Sequence, residues 1–294
     1  MKSLSIVILQ YNNSALTLNL LESISTYESE YDRWEILVVD NNSDEDDKFK
    51  EINSRFPFAI CKKNSKNLGF AKGVNLEIES INSRYFLLIN NDMELNNAAI
   101  SQALDVIESS SADGITCRVV GIDGTTQNNS SRSLTNWNIF LGALGYIAIW
   151  HSLKKRAKKA FKVGYINGGF LLMKTELFKE VGMFNESFFM YGEDIDLMLR
   201  LNRKKAVLLH TNRGEVLHLD GASARKKWDS NEKMKVQLGN TLKAHCLNKS
   251  WLSFQVLKCI LIIKTVGRST LYFNRSYLHP VSFIFHFKYE TAKN

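Results

Sequence analysis

The sequence of 294 residues is poor in proline and cysteine, with two prolines and four cysteines. So few prolines exclude a collagen-like or proline-rich disordered chain. The cysteines form no C-x-x-C pair, which excludes a zinc ribbon and a dithiol redox motif. They are Cys61, Cys117, Cys246 and Cys259. Cysteines scattered in this way are typical of a reducing compartment.

Long apolar runs are also missing. Ile139–Trp150 has about a dozen residues, whereas a spanning helix needs roughly 20, and Trp251–Val266 is interrupted by two lysines. The apolar stretch near the start of the chain, Leu4–Leu9, is too short for a secretory signal. The sequence therefore predicts no membrane span and a cytoplasmic protein.

Several motifs of well-known enzyme classes are absent from the sequence. There is no G-x-G-x-x-G after a strand, no G-x-x-x-x-G-K-[ST], no H-E-x-x-H and no G-x-S-x-G. A dinucleotide fingerprint, a P-loop, a zincin helix and a nucleophile elbow are thereby excluded. The candidate chemistry rests on carboxylates.

The net charge of +8 is unevenly distributed. Residues 221–294 hold thirteen Lys or Arg against three acids, whereas residues 1–220 hold 25 against 27. Patches of this kind attract the phosphates of nucleic acids or of anionic lipids. A second basic cluster consists of Lys154, Lys155, Arg156, Lys158, Lys159 and Lys162.

Short apolar runs alternate with helical patterns over the first ninety residues. The runs predict strands at Leu4–Leu9, Glu35–Asp40, Phe58–Lys62 and Tyr85–Asn90. This alternation predicts an α/β fold with an open, mostly parallel sheet flanked by helices. Ligands bind at the carboxyl ends of such strands. We therefore expect the turns at Asn12, Asp40 and Asp92 to line one crevice.

The rest of the chain predicts fewer regular elements. Residues 121–136 are polar and predict a loop. Further predicted elements are an apolar helix at Trp137–Trp150, a strand at Val163–Lys174, a helix at Leu177–Gly182, an aromatic turn at Phe184–Tyr191, a helix at Gly192–Lys205 and a strand at Glu215–Leu219.

Three groups of side chains are candidates for chemistry. Asp92 and Glu94 follow an apolar run, where carboxylates suit Mg²⁺ or Mn²⁺, although Asn-Asn-Asp is also ordinary turn chemistry. Glu193, Asp194 and Asp196 crowd the start of a predicted helix, which acids favour in any case, and a buried member could act as a base. His218 lies within an apolar strand, where a histidine is more often a core residue than a ligand.

Six segments of the sequence, in order, resemble those of the family 2 glycosyltransferases of the GT-A fold, nearest to the bacterial rhamnosyltransferase-like branch that builds surface polysaccharides. The resemblance covers about residues 3–225. The segments are SIVILQYNN, VVDNNSDED, NLGFAKGVN, FLLINNDME, NGGFLLMKTELFKEVGMFNESFFMYGEDIDLMLRL and VLHLDGAS.

The resemblance implies a role for particular residues. Asp194 would be the catalytic base, Asp92 the metal carboxylate, and His218 a second metal ligand. The residues implied at the nucleotide are Gln10, Tyr11, Asp40, Asn42, Asn67, Gly69, Lys72, Gly73 and Asn91. The sequence departs from the family at Asn90, where the first acid of the D-x-D motif is expected, and at Asn91, where a proline is usual.

The chemistry of glycosyl transfer agrees with these roles. Mg²⁺ or Mn²⁺ can neutralise the departing nucleoside diphosphate, and a carboxylate can take the proton of the acceptor hydroxyl. One base without a nucleophilic carboxylate implies a single displacement with inversion. The Q-x-x-R-W motif of processive synthases is absent, so we expect a non-processive enzyme.

The resemblance also indicates substrates and partners. dTDP-L-rhamnose is the first candidate donor, with UDP-galactofuranose and other UDP-hexoses as alternatives. The acceptor would be a saccharide or a lipid-linked saccharide. We expect residues 1–225 to form the catalytic domain. Residues 226–294 would form a helical extension that contacts either an anionic membrane, at the inner face of the cell membrane, or a second copy of the chain.

Three other classes of protein fit the sequence less well. A nucleic-acid-binding protein would use the basic, aromatic C-terminal region, but it would leave the acidic motifs without a role. A nucleotidyltransferase would ordinarily carry a glycine-rich, basic first loop, whereas this loop is Gln10–Asn13. A non-enzymatic scaffold is disfavoured because Asp40, Asp92, Asp194 and His218 are all present.

Overall fold

The computed structural model describes residues 3–44, 46–143, 146, 150, 154, 156–219, 230–271 and 279–289. The strands are β1 Leu4–Gln10, β2 Glu35–Asp40, β3 Ala59–Lys63, β4 Tyr85–Ile89, β5 Met93–Leu95, β6 Gly114–Gly121, β7 Ser130–Ser131, β8 Phe161–Val163, β9 Tyr165–Ile166, β10 Phe170–Lys174 and β11 Leu208–His218. The helices are α1 Ser14–Tyr27, α2 Asp46–Arg55, α3 Phe70–Ser80, α4 Ala99–Glu108, α5 Asn136–Ala143, α6 Thr175–Glu180, α7 Glu193–Arg203, α8 Ser230–Asn248, α9 Trp251–Leu271 and α10 His279–His286.

The main sheet has the strand order β3-β2-β1-β4-β10-β6-β11-β5, and β8 pairs with β11. Strands β3, β2, β1 and β4 are parallel neighbours, as the alternating pattern predicts. Strand β10 is antiparallel to both β4 and β6, and β11 is antiparallel to β5 and β8. The predicted α/β fold is confirmed, and the sheet is mixed rather than parallel throughout.

Helices cover both faces of this sheet because alternate strand residues point to opposite sides. One core contains Ile6 and Ile8 of β1 together with apolar residues of α1, α2 and α4. The other contains Val7 of β1 together with residues of α3, α6 and α7. Two apolar layers therefore fix the strand ends at which the polar turns lie.

The sheet differs from the sequence prediction at several strands, among them β6 and the segment Val163–Lys174. Strand β6 is not predicted, because its run begins and ends in glycine and carries Arg118 in the middle. The single strand predicted at Val163–Lys174 is divided into β9 and β10 by a turn that contains Gly168 and Gly169. This division places Tyr165 on a small second sheet with β7.

The C-terminal helices pack on the part of the chain that contains the sheet and on one another. Helix α8 contacts α7, and α9 contacts α5 and α10. Their shared core includes Leu242, Cys246, Phe254, Leu257 and Ile284. None of the described helices combines the length and apolar character needed to cross a bilayer. The predicted domain boundary at residues 225 and 226, the end of the last motif at 220–223, and Lys155 lie outside the described residues.

Candidate active site

A cleft of about 440 Å³ opens at the carboxyl ends of β1, β2 and β4. Its walls include Tyr11 after β1, Asn41 after β2 and Asp92 after β4. The far wall comes from the start of α7 and the end of β11, with Asp194 and His218. A crevice therefore exists at these strand ends, although Tyr11 and Asn41 line its described part in place of Asn12 and Asp40, and it also receives the second acidic motif.

Asp40 lies beneath this cleft and is fully buried. Its Oδ1 accepts hydrogen bonds from Gln10 Nε2 at 2.8 Å and from the Ser43 hydroxyl. Its Oδ2 accepts the Ser43 N–H at 3.0 Å and lies 3.7 Å from Lys63 Nζ. A carboxylate satisfied in this way holds the turn after β2 in position. Asn42, in that turn, adopts a left-handed backbone with φ 66°.

Asn41, which the sequence analysis did not single out, connects two walls of the cleft. Its Nδ2 donates to Asn67 Oδ1 at 3.0 Å and to the Gly69 carbonyl at 3.1 Å. Its Oδ1 accepts the Leu68 N–H at 3.0 Å. The buried Asn41 amide therefore fixes the turn that precedes α3. Asn41 lies between two predicted residues, Asp40 and Asn42, and nothing in the sequence of this polar turn distinguishes it as a residue that connects two walls.

Gly69 lies where two segments approach closely. Its φ is +79°, and an added Cβ would come within 2.6 Å of the Phe189 carbonyl oxygen. That oxygen accepts the Phe70 N–H at 2.7 Å. Two other predicted residues have different surroundings: Lys72 pairs with Glu186 at 3.3 Å, and Gly73 packs against Leu9. Neither is among the described residues that line the cleft.

The Asn90–Asp92 turn places a carboxylate in the cleft. Asn91 Nδ2 donates to the Thr17 hydroxyl at 3.2 Å and to the Asn13 carbonyl at 3.3 Å, which fixes the turn against α1. Asp92 is buried, and its Oδ1 has no hydrogen-bond partner among the described residues. Glu94 lies on β5, paired with Leu217, and does not line the described part of the cleft.

His218 faces Asp92 at the end of β11. With Gln127 Oε1 assigned toward the ring, His218 Nδ1 donates to it at 2.7 Å, since an amide oxygen only accepts. His218 Nε2 lies 3.4 Å from Asp92 Oδ2, and in the uncharged ring this nitrogen is an acceptor that could bind a cation. Two facing acceptors beside an unpartnered carboxylate oxygen fit a bound cation.

This pair provides two protein ligands. Among the described residues no group of three or more His, Cys, Asp or Glu side chains is placed to hold a metal. Mg²⁺ is commonly held by one or two carboxylates together with substrate phosphates. Asp92 and His218 therefore fit a metal that arrives with a diphosphate better than a metal held by protein alone.

Asp194 occupies the second position of α7 and faces Tyr165. The Tyr165 hydroxyl donates to Asp194 Oδ2 at 2.5 Å, and the Ile195 N–H donates to Oδ1 at 2.8 Å. Burial raises the pKa of Asp194, and these hydrogen bonds oppose that rise. Burial also keeps the pKa of Tyr165 well above its ordinary value, so the phenol remains a donor.

Glu193 is the buried neighbour of this carboxylate. Burial, followed by the charge of Asp194, raises the pKa of Glu193 to about 8. Glu193 therefore keeps its proton at neutral pH, and its Oε2 has no partner among the described residues. The hydrogen bonds from Tyr165 and Ile195 favour the ionised form of Asp194, so Asp194 is better suited than Glu193 to act as a base.

Asp196, the third acid of the motif, is directed away from the cleft. Its Oδ2 accepts from Arg200 Nε at 2.8 Å, and its Oδ1 accepts from Asn248 Nδ2 at 2.6 Å. Helix α8 also meets the turn before α7, because an added Cβ on Gly192 would lie 2.9 Å from Asn240. Asp196 therefore has a structural role in joining α7 to α8.

Lys233 is the only lysine or arginine among the described residues that line the cleft. It lies in the first turn of α8, in a region that the sequence analysis treated as an extension. Tyr165 and Gln127 are likewise functional candidates that the sequence did not indicate. Each is an isolated polar residue whose partner is distant in the chain, so no local spacing reveals it.

Comparisons with known proteins agree with the geometry. The sequence model of the family described as "Glycosyl transferase family 2" matches residues 5–182, a range that ends before Asp194 and His218. The hexosyltransferase Agl10 of low-salt glycan biosynthesis in Haloferax volcanii is 26% identical over 212 residues. That alignment covers 68% of this chain and 62% of the relative.

A shorter likeness and a solved structure add to this comparison. The N-acetylglucosaminyl-diphospho-decaprenol L-rhamnosyltransferase of Mycobacterium tuberculosis is 41% identical over 56 residues, covering 19% of this chain and 18% of that protein. The crystal structure of GalNAc-T7 with UDP, GalNAc and Mn²⁺ superposes with a TM-score of 0.62 at 12% identity, covering 95% of this chain and 55% of that chain. This structural likeness concerns the GT-A fold alone. The chain thus spans less than two thirds of the length of each of these proteins.

Proposed function

Because the chain belongs to glycosyl transferase family 2, we propose that it moves a sugar from a nucleoside-diphosphate sugar to a hydroxyl of a saccharide acceptor. This proposal rests on the positions of Asp92, His218 and Asp194, which all line one cleft. Asp92 and His218 would hold the diphosphate end through a metal, while Asp194 would face the acceptor. We further propose a single displacement with inversion, without processive extension.

Asp194 is proposed as the base that takes the acceptor proton. Its carboxylate is oriented by the Tyr165 hydroxyl and by the N–H of Ile195. A raised pKa brings a carboxylate nearer to the pH at which it must accept a proton, which favours general-base catalysis. Glu193 keeps its proton at neutral pH and can donate a hydrogen bond to a substrate oxygen.

Asp92 and His218 are proposed to hold Mg²⁺ or Mn²⁺. A divalent ion bound there would supply positive charge to the leaving diphosphate. The support is the unpartnered Asp92 oxygen and the tautomer set by Gln127. GalNAc-T7, which shares the fold, was crystallised with Mn²⁺. Lys233 would add a fixed charge from the protein.

The nucleotide is proposed to bind between the ends of β1 and β2 and the start of α3. Gln10, Tyr11, Asn67 and Gly69 line that part of the cleft. Asp40 would act through the turn that it holds, and Asn42, Lys72, Gly73 and Asn91 would support the walls. dTDP-L-rhamnose is the first donor to test, and UDP-galactofuranose and other UDP-hexoses are the alternatives.

A panel of nucleotide sugars tests the proposed activity. We expect one donor to be hydrolysed slowly without acceptor, releasing the nucleoside diphosphate only when Mg²⁺ or Mn²⁺ is present. Release of the nucleotide, followed by an enzyme-coupled assay, is the measurement. Turnover of no donor, combined with salt-sensitive retention of oligonucleotides, would instead favour a nucleic-acid-binding protein.

The Tyr165 hydroxyl is predicted to set the acid limb of the pH–rate profile. Tyr165→Phe removes a hydrogen bond to ionised Asp194, so the pKa of Asp194 should rise further. Activity needs the ionised base and is lost as pH falls through that pKa, so the acid limb should move to higher pH. Hydrogen bonds to charged groups contribute about 1.5–3 kcal/mol, so we expect a loss of about tenfold or more at acidic pH. An unchanged profile would contradict the role of Tyr165.

We also propose that the acceptor is a lipid-linked saccharide in the synthesis of a bacterial surface polysaccharide, and that the enzyme works at the inner face of the cell membrane. The name of the mycobacterial relative contains a lipid diphosphate acceptor. In the basic cluster, Arg156, Lys158, Lys159 and Lys162 are exposed. Lys154 differs, because it is buried and donates to Asn129 Oδ1 at 2.9 Å.

A further inference from the structure

Three neighbouring helices, α5, α9 and α10, leave large apolar side chains exposed. Leu252 of α9 and Phe285 of α10 are each 67% exposed, and Trp137 of α5 is 65% exposed. We call this set the outer face. Its members are Trp137, Leu252, Val256, Ile263, Val266, Phe283 and Phe285.

Helix α9 carries two apolar stripes rather than one. Residues 252, 256, 263 and 266 recur at the spacing of one helix side, and the exposed Cys259 lies at the intervening position. The opposite side is buried against the protein through Phe254, Leu257 and Ile260. Only the outward stripe is therefore available to a partner.

Polar contacts fix the neighbouring helices beside this stripe. Asn136 of α5 donates to the Ser253 carbonyl at 2.7 Å. Lys258 Nζ donates to the carbonyls of Phe285 and Phe287 at 2.8 Å each, at the end of α10. These two hydrogen bonds of Lys258 hold α10 in place, so we assign Lys258 a structural role and not a role in binding a ligand. The outer face is consequently formed in the folded protein and needs no rearrangement.

The charge of this region distinguishes between the two partners that could cover an apolar face, a second copy of the chain and an anionic bilayer. Residues 230–271 and 279–289 contain eight Lys or Arg and one acid, and Lys235 and Lys288 are exposed. A second copy docked on this region would bring like charges together. An anionic bilayer would meet the same region with opposite charge, and each basic residue near such a surface contributes about 1 kcal/mol.

We propose that the outer face binds the surface of an anionic bilayer, with α9 lying in the interface and its outward stripe reaching the acyl boundary. Apolar side chains with aromatic neighbours are typical of such interfacial helices. This proposal rests on the proposed function only for the reason why the protein would bind a membrane, which is that a lipid-linked acceptor would be presented at that surface. The attachment itself follows from the face and its charge.

Cosedimentation with vesicles tests this attachment without any sugar substrate. The full chain should sediment with vesicles of phosphatidylcholine plus phosphatidylglycerol, should remain in the supernatant with phosphatidylcholine alone, and should be released by high salt. The double variant Leu252→Glu with Ile263→Glu should lower partitioning at least about tenfold, because two apolar side chains no longer enter the interface. Ile122→Glu is the matched control, since Ile122 is 72% exposed outside the outer face.

The outcomes separate this proposal from the proposed function. The double variant should keep its thermal unfolding midpoint and its vesicle-free donor hydrolysis, which report folding and the catalytic cleft independently. Equal sedimentation of wild type and double variant would overturn the outer face as the membrane contact. A wild-type dimer in light scattering that the double variant abolishes, with no vesicle binding, would assign the face to a second copy.

Discussion

Asp194→Asn is expected to lower kcat about 10²–10⁴-fold, the usual contribution of a general base, while donor affinity stays near that of wild type. Asparagine keeps the size of the side chain; its single carbonyl oxygen can accept the Ile195 N–H, and its NH₂ group would then face the Tyr165 oxygen as a donor. It cannot take a proton from the acceptor hydroxyl. The measurement is single-turnover transfer, with donor affinity followed separately by nucleotide-sugar titration.

Glu193→Gln is the matched control for this substitution. Glu193 has a pKa of about 8 and keeps its proton at neutral pH, so glutamine resembles the state already present. We therefore expect a much smaller loss of kcat than for Asp194→Asn. A large loss for Glu193→Gln, together with near-wild-type turnover of Asp194→Asn, would transfer the role of base to Glu193.

Asp92→Ala is expected to remove metal-dependent nucleotide binding, lowering affinity by at least about 100-fold. Outer-shell residues alone change metal affinity by about 10–100-fold, and loss of a charged ligand should exceed that. His218→Ala should have a smaller effect, because it removes a neutral imidazole. The measurement is calorimetric titration of a nucleoside diphosphate with and without Mn²⁺.

Two controls sharpen this prediction. Residual nucleotide binding in the absence of metal should be similar for wild type and Asp92→Ala, which shows that the nucleotide pocket is intact. Gln127→Leu should weaken metal-dependent binding about 10–100-fold, since His218 loses the partner that fixes its tautomer. Full transfer activity in EDTA would contradict the metal site and would leave Lys233 as the cation in the described part of the cleft.

The parallel half of the sheet could be predicted because each strand is a short apolar run followed by a polar turn. Strands β1, β2 and β4 lie where the sequence indicates them, within a residue or two. The direction of β10 could not be predicted, because a strand buried on both faces has the same apolar pattern in either pairing. Only the contacts of β10 with β4 and β6 specify it.

The same limit applies to the candidate site. Asp92 and Asp194 could be found because acids that directly follow apolar runs, or crowd a helix start, are conspicuous. Tyr165 could not, because its role depends on a register that brings it to a carboxylate 29 positions later. Gln127 likewise becomes a partner of His218 only across the fold, 91 positions away.

The close contact between Gly192 and Asn240 has a consequence for recombining this chain with its relatives. Gly192 has a φ of +90° and no room for a side chain, and Asn240 fills the space beside it while donating to the Met190 carbonyl at 2.9 Å. A chimera that exchanges the segment after residue 225 therefore replaces Asn240 but keeps Gly192, so it changes one partner of a close contact next to the acidic motif. Crossovers have to carry positions 192 and 240 as a pair, so the C-terminal helices are inherited together with the turn before α7 rather than as an interchangeable module.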